Sequence, residues 1–358
     1  MLSAYLFPGQ GSQEVGMGRE AYLHSPVARE LFDEADALFG NIFSNLIFNG
    51  PEEQLTDTVN QQPALYITSL AHWQALKERG WPRADFVAGH SLGELSALAA
   101  ANAISFADGL NLVRQRGQLM KTAGDKEPGG MAAILALDVA KAQESCLKAS
   151  QTTGRPVQVA NDNCPGQIVI SGHDLALSQA MDLAQQAGAR KVVRLPITIA
   201  AHSSLMSSAA QQFAEAVDAT PIREPDIPVI GNVSAQPLQT VDDIKRELKD
   251  QLTSPVAWTG SMRYLLQEGV NTFIEVGPGK VLLGLIKRID RQARRIEFDL
   301  DAMARPWRAC PGDQHCGLVQ PRPFAIHPGQ ALEGQDPHSL TAIPAAIGCR
   351  DRRRAVRP

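Results

Sequence analysis

The sequence lacks the features of a membrane, secreted or nucleic-acid-binding protein. Its 358 residues contain no run of about 18 apolar residues, and the opening MLSAYLFPGQGSQ lacks the charged-then-apolar layout of a signal peptide. A net charge of -4 provides no basic footprint for nucleic acid. We therefore expect a cytoplasmic protein without a membrane or nucleic-acid partner.

Cysteine is scarce, and its spacing does not resemble a disulfide framework. The five cysteines are an odd number and are scattered along the chain, at Cys146, Cys164, Cys310, Cys316 and Cys349. We expect free thiols. Cys310 and Cys316 flank His315, but a fourth ligand at suitable spacing is missing, so we predict no metal site.

The sequence does contain strands and helices in alternation. AYLF and DFVAGH are short apolar runs typical of strands, and between them lie two helical stretches, VARELFDEADALFG and QQPALYITSLAHWQALKERG. Such alternation favours an α/β fold with a mainly parallel sheet covered on both faces.

A second pattern interrupts the first from about Gly130 to Pro196. Its order of elements, β-α-β-β-α-β in fewer than about 70 residues, is the ferredoxin-like arrangement. We predict a large α/β domain in two parts, residues 1–128 and 197–299, with a small ferredoxin-like domain inserted at 129–196. Residues 300–358 are rich in Pro, Arg, Gly and His without periodic apolar spacing, which predicts an irregular or disordered tail.

Ser91 is the first candidate catalytic residue. GHSLG, from Gly89 to Gly93, matches the G-x-S-x-G motif after an apolar strand and before a helix, a context that predicts a nucleophile on a tight turn. The alternative is a serine that caps the helix. The two interpretations are compatible, because the same helix N-terminus favours negative charge at a reacting serine.

A serine nucleophile needs a base and an oxyanion hole. Of the eight histidines, His202 follows an expected strand and opens a helix in the large domain, which predicts that it reaches the same sheet edge as Ser91. A capping or core role for His202 is the alternative. The N–H of Leu92 and the glycine-rich loop around Gln10 are the candidate oxyanion donors.

Arg116 is the most informative charged residue. On a helix from Ser105 to Met120 it falls about 40° from the centre of the apolar face, so it should point inward. A buried arginine needs a carboxylate, either from an internal Asp or Glu in a salt bridge or from a substrate.

Seven motifs together resemble the malonyl-CoA:acyl carrier protein transacylases. They occur in that family's order between about Met1 and Asp299: FPGQGSQEVGMG, GHSLGE, RGQLM, NCPGQIVISG, HSSLM, SPVAWTGSMRYL and EVGPGKVLLGLIKRI. The resemblance implies an α/β-hydrolase-like large domain, an inserted ferredoxin-like domain and an active site in the cleft between them.

The resemblance also implies a role for each candidate site residue. Ser91 would accept the acyl group with His202 as its base, and Arg116 would bind the free carboxylate of malonyl. The amides of Gln10 and Leu92 would hold the oxyanion, and the backbone carbonyl of Gln251 would orient the histidine.

The implied reaction is ping-pong transfer from malonyl-CoA to the phosphopantetheine thiol of acyl carrier protein, in fatty-acid synthesis. The CoA and phosphopantetheine thioesters are substrates of this reaction, so we expect no cofactor. We also expect the protein to be a monomer. Ala201 departs from the phenylalanine or serine that polyketide relatives carry before the histidine. A free-standing polyketide acyltransferase, a carrier-protein thioester hydrolase and a non-catalytic binding protein are the alternatives.

Overall fold

A computed structural model describes residues 2–40 and 42–298, and the structural statements below concern these residues. The strands are β1 (Leu2–Phe7), β2 (Phe86–Gly89), β3 (Gly129–Leu135), β4 (Val157–Cys164), β5 (Gln167–His173), β6 (Lys191–Arg194), β7 (Val229–Ile230), β8 (Pro237–Leu238), β9 (Val270–Glu275) and β10 (Arg294–Glu297).

The helices are α1 (Arg19–His24), α2 (Pro26–Phe39), α3 (Phe43–Asn49), α4 (Glu52–Thr56), α5 (Thr58–Glu78), α6 (Gly93–Ala100), α7 (Phe106–Lys126), α8 (Val139–Thr153), α9 (Asp174–Gln186), α10 (Ser207–Ala219), α11 (Val241–Asp250), α12 (Trp258–Gln267) and α13 (Val281–Ile289). Five short elements, α1, α3, α4, β8 and β10, were not part of the sequence-based prediction.

The larger sheet confirms the predicted α/β class. Its strand order is β10-β9-β1-β2-β7-β8, and each neighbouring pair is parallel except β7 and β8, which are antiparallel. Successive residues of β1 pack into different cores: Tyr5 faces one side with α5 and α7, and Leu6 faces the other with α12 and α13. Both faces of the sheet are therefore covered by helices, as the continuous apolar strands predict.

The smaller sheet has the ferredoxin-like topology expected from the order of its elements. Its strand order is β4-β5-β3-β6, all neighbours are antiparallel, and α8 and α9 pack on it around a core of their own. These elements run from Gly129 to Arg194. The domain boundaries at 128/129 and 196/197 stay predictions, and the tail predicted at 300–358 lies outside the described residues.

Candidate active site

Ser91 lies on a strained turn between β2 and α6. Its φ is 52°, in the left-handed region that non-glycine residues rarely occupy. A Cβ on Gly89 would lie 1.8 Å from the carbonyl oxygen of Gly93, and one on Gly93 would lie 2.1 Å from that of Phe7. The turn thus packs against itself and against the end of β1, which explains both glycines of the motif.

The Ser91 side chain does not cap the helix, and that part of the sequence interpretation is wrong. Helix α6 begins at Gly93, its N-cap is Leu92, and no side chain accepts a capping hydrogen bond there. The Ser91 Oγ instead contacts His202 and Arg116. Its hydroxyl is directed across the site, away from the helix end.

His202 is placed as a base for Ser91. Its Nε2 lies 2.8 Å from the Ser91 Oγ, and its Nδ1 lies 2.8 Å from the backbone carbonyl oxygen of Gln251 and 3.2 Å from that of Ser254. Because two carbonyl oxygens can only accept, Nδ1 carries the proton and Nε2 is free to accept the serine proton. The structure thus brings together the three residues that the sequence analysis had assigned to the nucleophile, the base and its orienting carbonyl.

Burial keeps the His202 imidazole neutral. Burial first, and then the charge of Arg116, lower the pKa of His202 to about 3, although the hydrogen bond to the Gln251 carbonyl acts in the opposite sense. A neutral imidazole can accept a proton, which is the state that a general base requires.

The expected route to His202 is wrong in one respect. The strand that precedes it, β6, ends at Arg194 and belongs to the small sheet, so no strand of the large sheet leads directly to the histidine. His202 lies on an irregular segment at φ 57°, and Gln158 of β4 donates to its carbonyl oxygen over 3.1 Å. The carbonyls of Gln251 and Ser254 and the Gln158 side chain of the small sheet, rather than a strand of the large sheet, hold the histidine in place.

Arg116 is completely buried, as its helical position predicted. Its Nη1 donates to the Gln62 Oε1 over 2.8 Å, and its Nη2 donates to the Gln251 Oε1 over 2.9 Å and to the Ser91 Oγ over 3.1 Å. Its Nε has no hydrogen-bond partner, and no carboxylate pairs with the guanidinium, among the residues that the structure describes. The expected alternative, an internal salt bridge, is therefore not observed in this part of the chain.

The two candidate oxyanion donors flank the serine. Leu92 is the residue after it, and Gln10 lies in the loop after β1, beside the end of β2. Neither backbone N–H donates a hydrogen bond within residues 2–40 and 42–298, whereas the N–H of Ser91 itself is bonded to the Asn232 Oδ1 at 2.7 Å. These two amides thus retain their capacity to bind an oxygen anion.

Ser91 and His202 open onto a cleft between the two sheets. Large-sheet loops and α13 line one side of it with Gln10, His90 and Leu285, and the small sheet lines the other with Asn161 and Asn163. The His90 Nε2 and the Asn163 Oδ1 lie 2.8 Å apart and connect the two sides. Ser91 and His202 are therefore reached from this cleft.

Three residues that contact the site were missed in the sequence. Gln62 holds Arg116, Asn232 holds the Ser91 amide, and Glu94 accepts from Asn232. A charged residue in the alanine-rich stretch after GHSLG was a usable signal for Glu94, and an asparagine directly after the IPVIG strand was one for Asn232. Nothing in the sequence separated Gln62 from the adjacent Gln61.

Comparison with known proteins identifies the family. Residues 4–299 match the model of the acyl transferase domain family. A malonyl CoA-acyl carrier protein transacylase of Bacillus subtilis is 48% identical over 293 residues, which cover 82% of this chain and 92% of that relative. The chain belongs to the malonyl-CoA:acyl carrier protein transacylase family. The Escherichia coli member of this transacylase family is 41% identical over 286 residues, covering 80% of this chain and 92% of the relative.

Solved structures of transacylases share the fold. The malonyl CoA-acyl carrier protein transacylase of Coxiella burnetii superimposes with a TM-score of 0.82 at 36% identity, covering 85% of this chain and 96% of that one. A malonyl-transacylase solved in complex with a type II polyketide acyl carrier protein has the same TM-score and identity, and covers 85% of this chain and 98% of its own. Fold and family are thus settled together, and this chain is an acyltransferase.

Metal-binding groups and membrane-spanning helices are both absent from the described residues. No group of His, Cys, Asp and Glu there could hold a metal ion, and no helix there is long and apolar enough to cross a membrane. Cys146 and Cys164 are unpaired and buried, and burial raises the pKa of the Cys146 thiol to about 12. Cys310, His315 and Cys316 lie outside these residues.

Proposed function

We propose that this chain transfers malonyl from malonyl-CoA to the phosphopantetheine thiol of an acyl carrier protein in fatty-acid synthesis, in the cytoplasm. The observation that carries the proposal is the placement of Arg116: a buried guanidinium 3.1 Å from the Ser91 Oγ, without a carboxylate of its own in the described residues. An acyl group with a free carboxylate supplies the missing partner, since a guanidinium binds carboxylate oxygens through its planar fork.

The first half-reaction acylates the serine. The His202 Nε2 takes the Ser91 Oγ proton while Oγ attacks the thioester carbonyl carbon, and the N–H groups of Leu92 and Gln10 bind the oxyanion. Breakage of the carbon–sulfur bond leaves malonyl on Ser91, and His202 returns the proton to the CoA sulfur. The carbonyl of Gln251 holds the imidazolium through Nδ1.

The second half-reaction repeats these steps with another thiol. His202 takes the proton of the phosphopantetheine thiol, its sulfur attacks the malonyl-serine ester, and Ser91 leaves with the proton returned to Oγ. No resident cofactor enters the scheme, because a thioester is itself an activated acyl donor.

Intact mass spectrometry tests the proposal. Malonyl-CoA should add one malonyl group to the protein, and Ser91→Ala should abolish the adduct. Ser96→Ala is the matched control, because Ser96 is also a buried serine but lies within α6. An adduct that persists in Ser91→Ala would contradict the assignment of the nucleophile.

Polyketide synthesis is a second candidate pathway, favoured by the relative solved with a type II polyketide carrier protein. The chemistry is the same in both pathways, so transfer from the malonyl-enzyme to carrier proteins of each type distinguishes them. A hydrolase would use the same serine and histidine but would release the adduct to water without any carrier protein.

A further inference from the structure

Glu94 is a buried carboxyl group in the first turn of α6, next to the nucleophile. It is 0% exposed and forms no ion pair with any residue that the structure describes. Three N–H groups approach its two oxygens. The backbone N and the Nδ2 of Asn232 donate to Oε1 over 2.8 Å and 2.9 Å, and the Gln251 Nε2 donates to Oε2. All three contacts require the carboxyl group to act as an acceptor.

The first branch of this network leads to the nucleophile. Asn232 uses Nδ2 to contact Glu94 and the Gly89 carbonyl oxygen, and its Oδ1 accepts from the Ser91 N–H at 2.7 Å. Because the Ser91 backbone is strained, it needs surrounding contacts that fix its conformation. Asn232 supplies them on both sides of His90.

The second branch leads to the arginine. The Gln251 Nε2 donates to Glu94 and, over 3.0 Å, to the Ser91 carbonyl oxygen, while its Oε1 accepts from the Arg116 Nη2. A carboxylate accepts and a guanidinium donates, so only one orientation of the amide satisfies both neighbours. Glu94 and the Ser91 carbonyl oxygen thus both favour the orientation in which the Gln251 Oε1 faces Arg116.

The side-chain amide of Gln251 lies between Glu94 and Arg116 and contacts both of them. A direct ion pair would occupy the guanidinium, whereas contact with amide oxygens leaves its charge available to a substrate carboxylate. Burial lowers the pKa of Arg116 to about 10, and the charge of Glu94 acts against that decrease. Burial and the charge of Glu247 raise the pKa of Glu94 well above its usual range, and the N–H groups of Asn232 and Gln251 oppose this effect.

We propose that Glu94 is a positioning residue that acts on both halves of the site: through Asn232 it holds the Ser91 turn, and through the Gln251 side chain it orients Arg116 toward the acyl group. This inference rests on the proposed malonyl transfer. It adds a selectivity role to the Gln251 side chain, separate from the contact between its backbone carbonyl and His202.

Glu94→Gln tests the inference through the rate constants of a single round of Ser91 acylation by malonyl-CoA and by acetyl-CoA. Glutamine replaces one acceptor oxygen with an NH2 group facing N–H donors. The malonyl rate constant should fall by about 10- to 100-fold, the range for a buried hydrogen-bonding group that loses its partner, and by more than the acetyl rate constant. The ratio of the two is the informative quantity, because partial unfolding lowers both equally.

Two further variants make the result independent of folding. Gln251→Met removes the side-chain amide but keeps the backbone carbonyl that contacts His202, and it should lower the malonyl-to-acetyl ratio even if Glu94→Gln does not fold. Glu275→Gln is the control, since Glu275 is equally buried and accepts backbone N–H groups of α13 without contacting Ser91, His202 or Arg116. It should leave the ratio unchanged.

The outcomes separate the two proposals. If the wild-type protein forms no malonyl adduct, the proposed function itself is wrong and the inference fails with it. If the wild-type protein is acylated and both Glu94→Gln and Gln251→Met retain its malonyl-to-acetyl ratio, the proposed function stands and the role of Glu94 is refuted.

Discussion

At the scale of single residues, the site depends on the positive charge of Arg116, which forms no ion pair with any described residue. Within residues 2–40 and 42–298, Arg116 has three hydrogen-bond partners, and each is an uncharged side chain: two glutamine oxygens and the serine hydroxyl. Burying a charge in this way costs free energy unless a partner is supplied. A malonyl carboxylate would supply that partner, whereas an acetyl group would leave the guanidinium as it is.

Arg116→Ala should therefore separate malonyl from acetyl transfer. We expect malonyl acylation of Ser91 to fall roughly 100-fold or more, since two charge-assisted hydrogen bonds are lost, and acetyl acylation to be kept or raised. Steady-state transfer from each acyl-CoA to one carrier protein measures the effect. Arg114→Ala is the matched control, because Arg114 lies on the same helix and is exposed. Equal loss of both activities in Arg116→Ala would indicate a structural role.

At the scale of secondary-structure elements, the close approach of β1, β2 and α6 produces the reactive turn. The His90 N–H donates to the Phe7 carbonyl oxygen over 3.0 Å, and Gly93 packs against the same carbonyl group. The parallel pairing of β1 with β2 thus places the Gln10 loop beside Ser91. A strand-turn-helix unit and its neighbouring strand thus carry the nucleophile and both candidate oxyanion donors.

Gly93→Ala should disrupt this unit. A Cβ 2.1 Å from the Phe7 carbonyl oxygen forces backbone to move, so we expect unfolding to require about 1–3 kcal/mol less and acylation of Ser91 to be largely lost. Gly284→Ala in α13 is the control, because a Cβ there meets no atom of the described residues within 4 Å and alanine favours helix. Urea unfolding of both variants checks the prediction, and a Gly93→Ala protein as stable as wild type would contradict it.

At the scale of the whole molecule, the fold buries three histidines, His72, His90 and His202, whose pKa values are lowered by burial. Burial lowers the pKa of His72 to about 4, that of His202 to about 3, and that of His90 below its usual value. The unfolded chain binds protons at these side chains below about pH 6.5, while the folded chain does not. The free energy of unfolding should therefore decrease as the pH falls below about 6.5.

His72→Phe should reduce this acid sensitivity. Between about pH 6 and the folded-state pKa near 4, each such histidine contributes up to about 1.4 kcal/mol per pH unit to the slope, so removing His72 lowers the slope by that amount. Phenylalanine retains an aromatic ring for the stack on Phe298. Urea unfolding at pH 7.5 and pH 5 measures the slope. His24→Gln is the control because His24 is exposed, and an unchanged slope in His72→Phe would refute the account.

The sequence by itself determined the class of fold and the centre of the site. Apolar periodicity gave the strands and helices, glycine spacing gave the Ser91 turn, and the helical position of Arg116 gave its burial. These signals are local, because they depend on residues within a few turns of one another. The short elements α3, α4 and β8 left no comparable pattern.

Only the tertiary structure decided what surrounds Ser91. Asn232 and the Gln251 side chain reach the serine from 141 and 160 residues away. His202 is positioned by the Gln251 and Ser254 carbonyls and by Gln158 of the small sheet, and not by a strand of the large sheet. A single asparagine or glutamine belongs to no periodic sequence pattern that would indicate its hydrogen-bond partner. Its partner depends on how distant segments of the chain pack together. The same packing turned Ser91 away from the helix end and toward the base and the arginine.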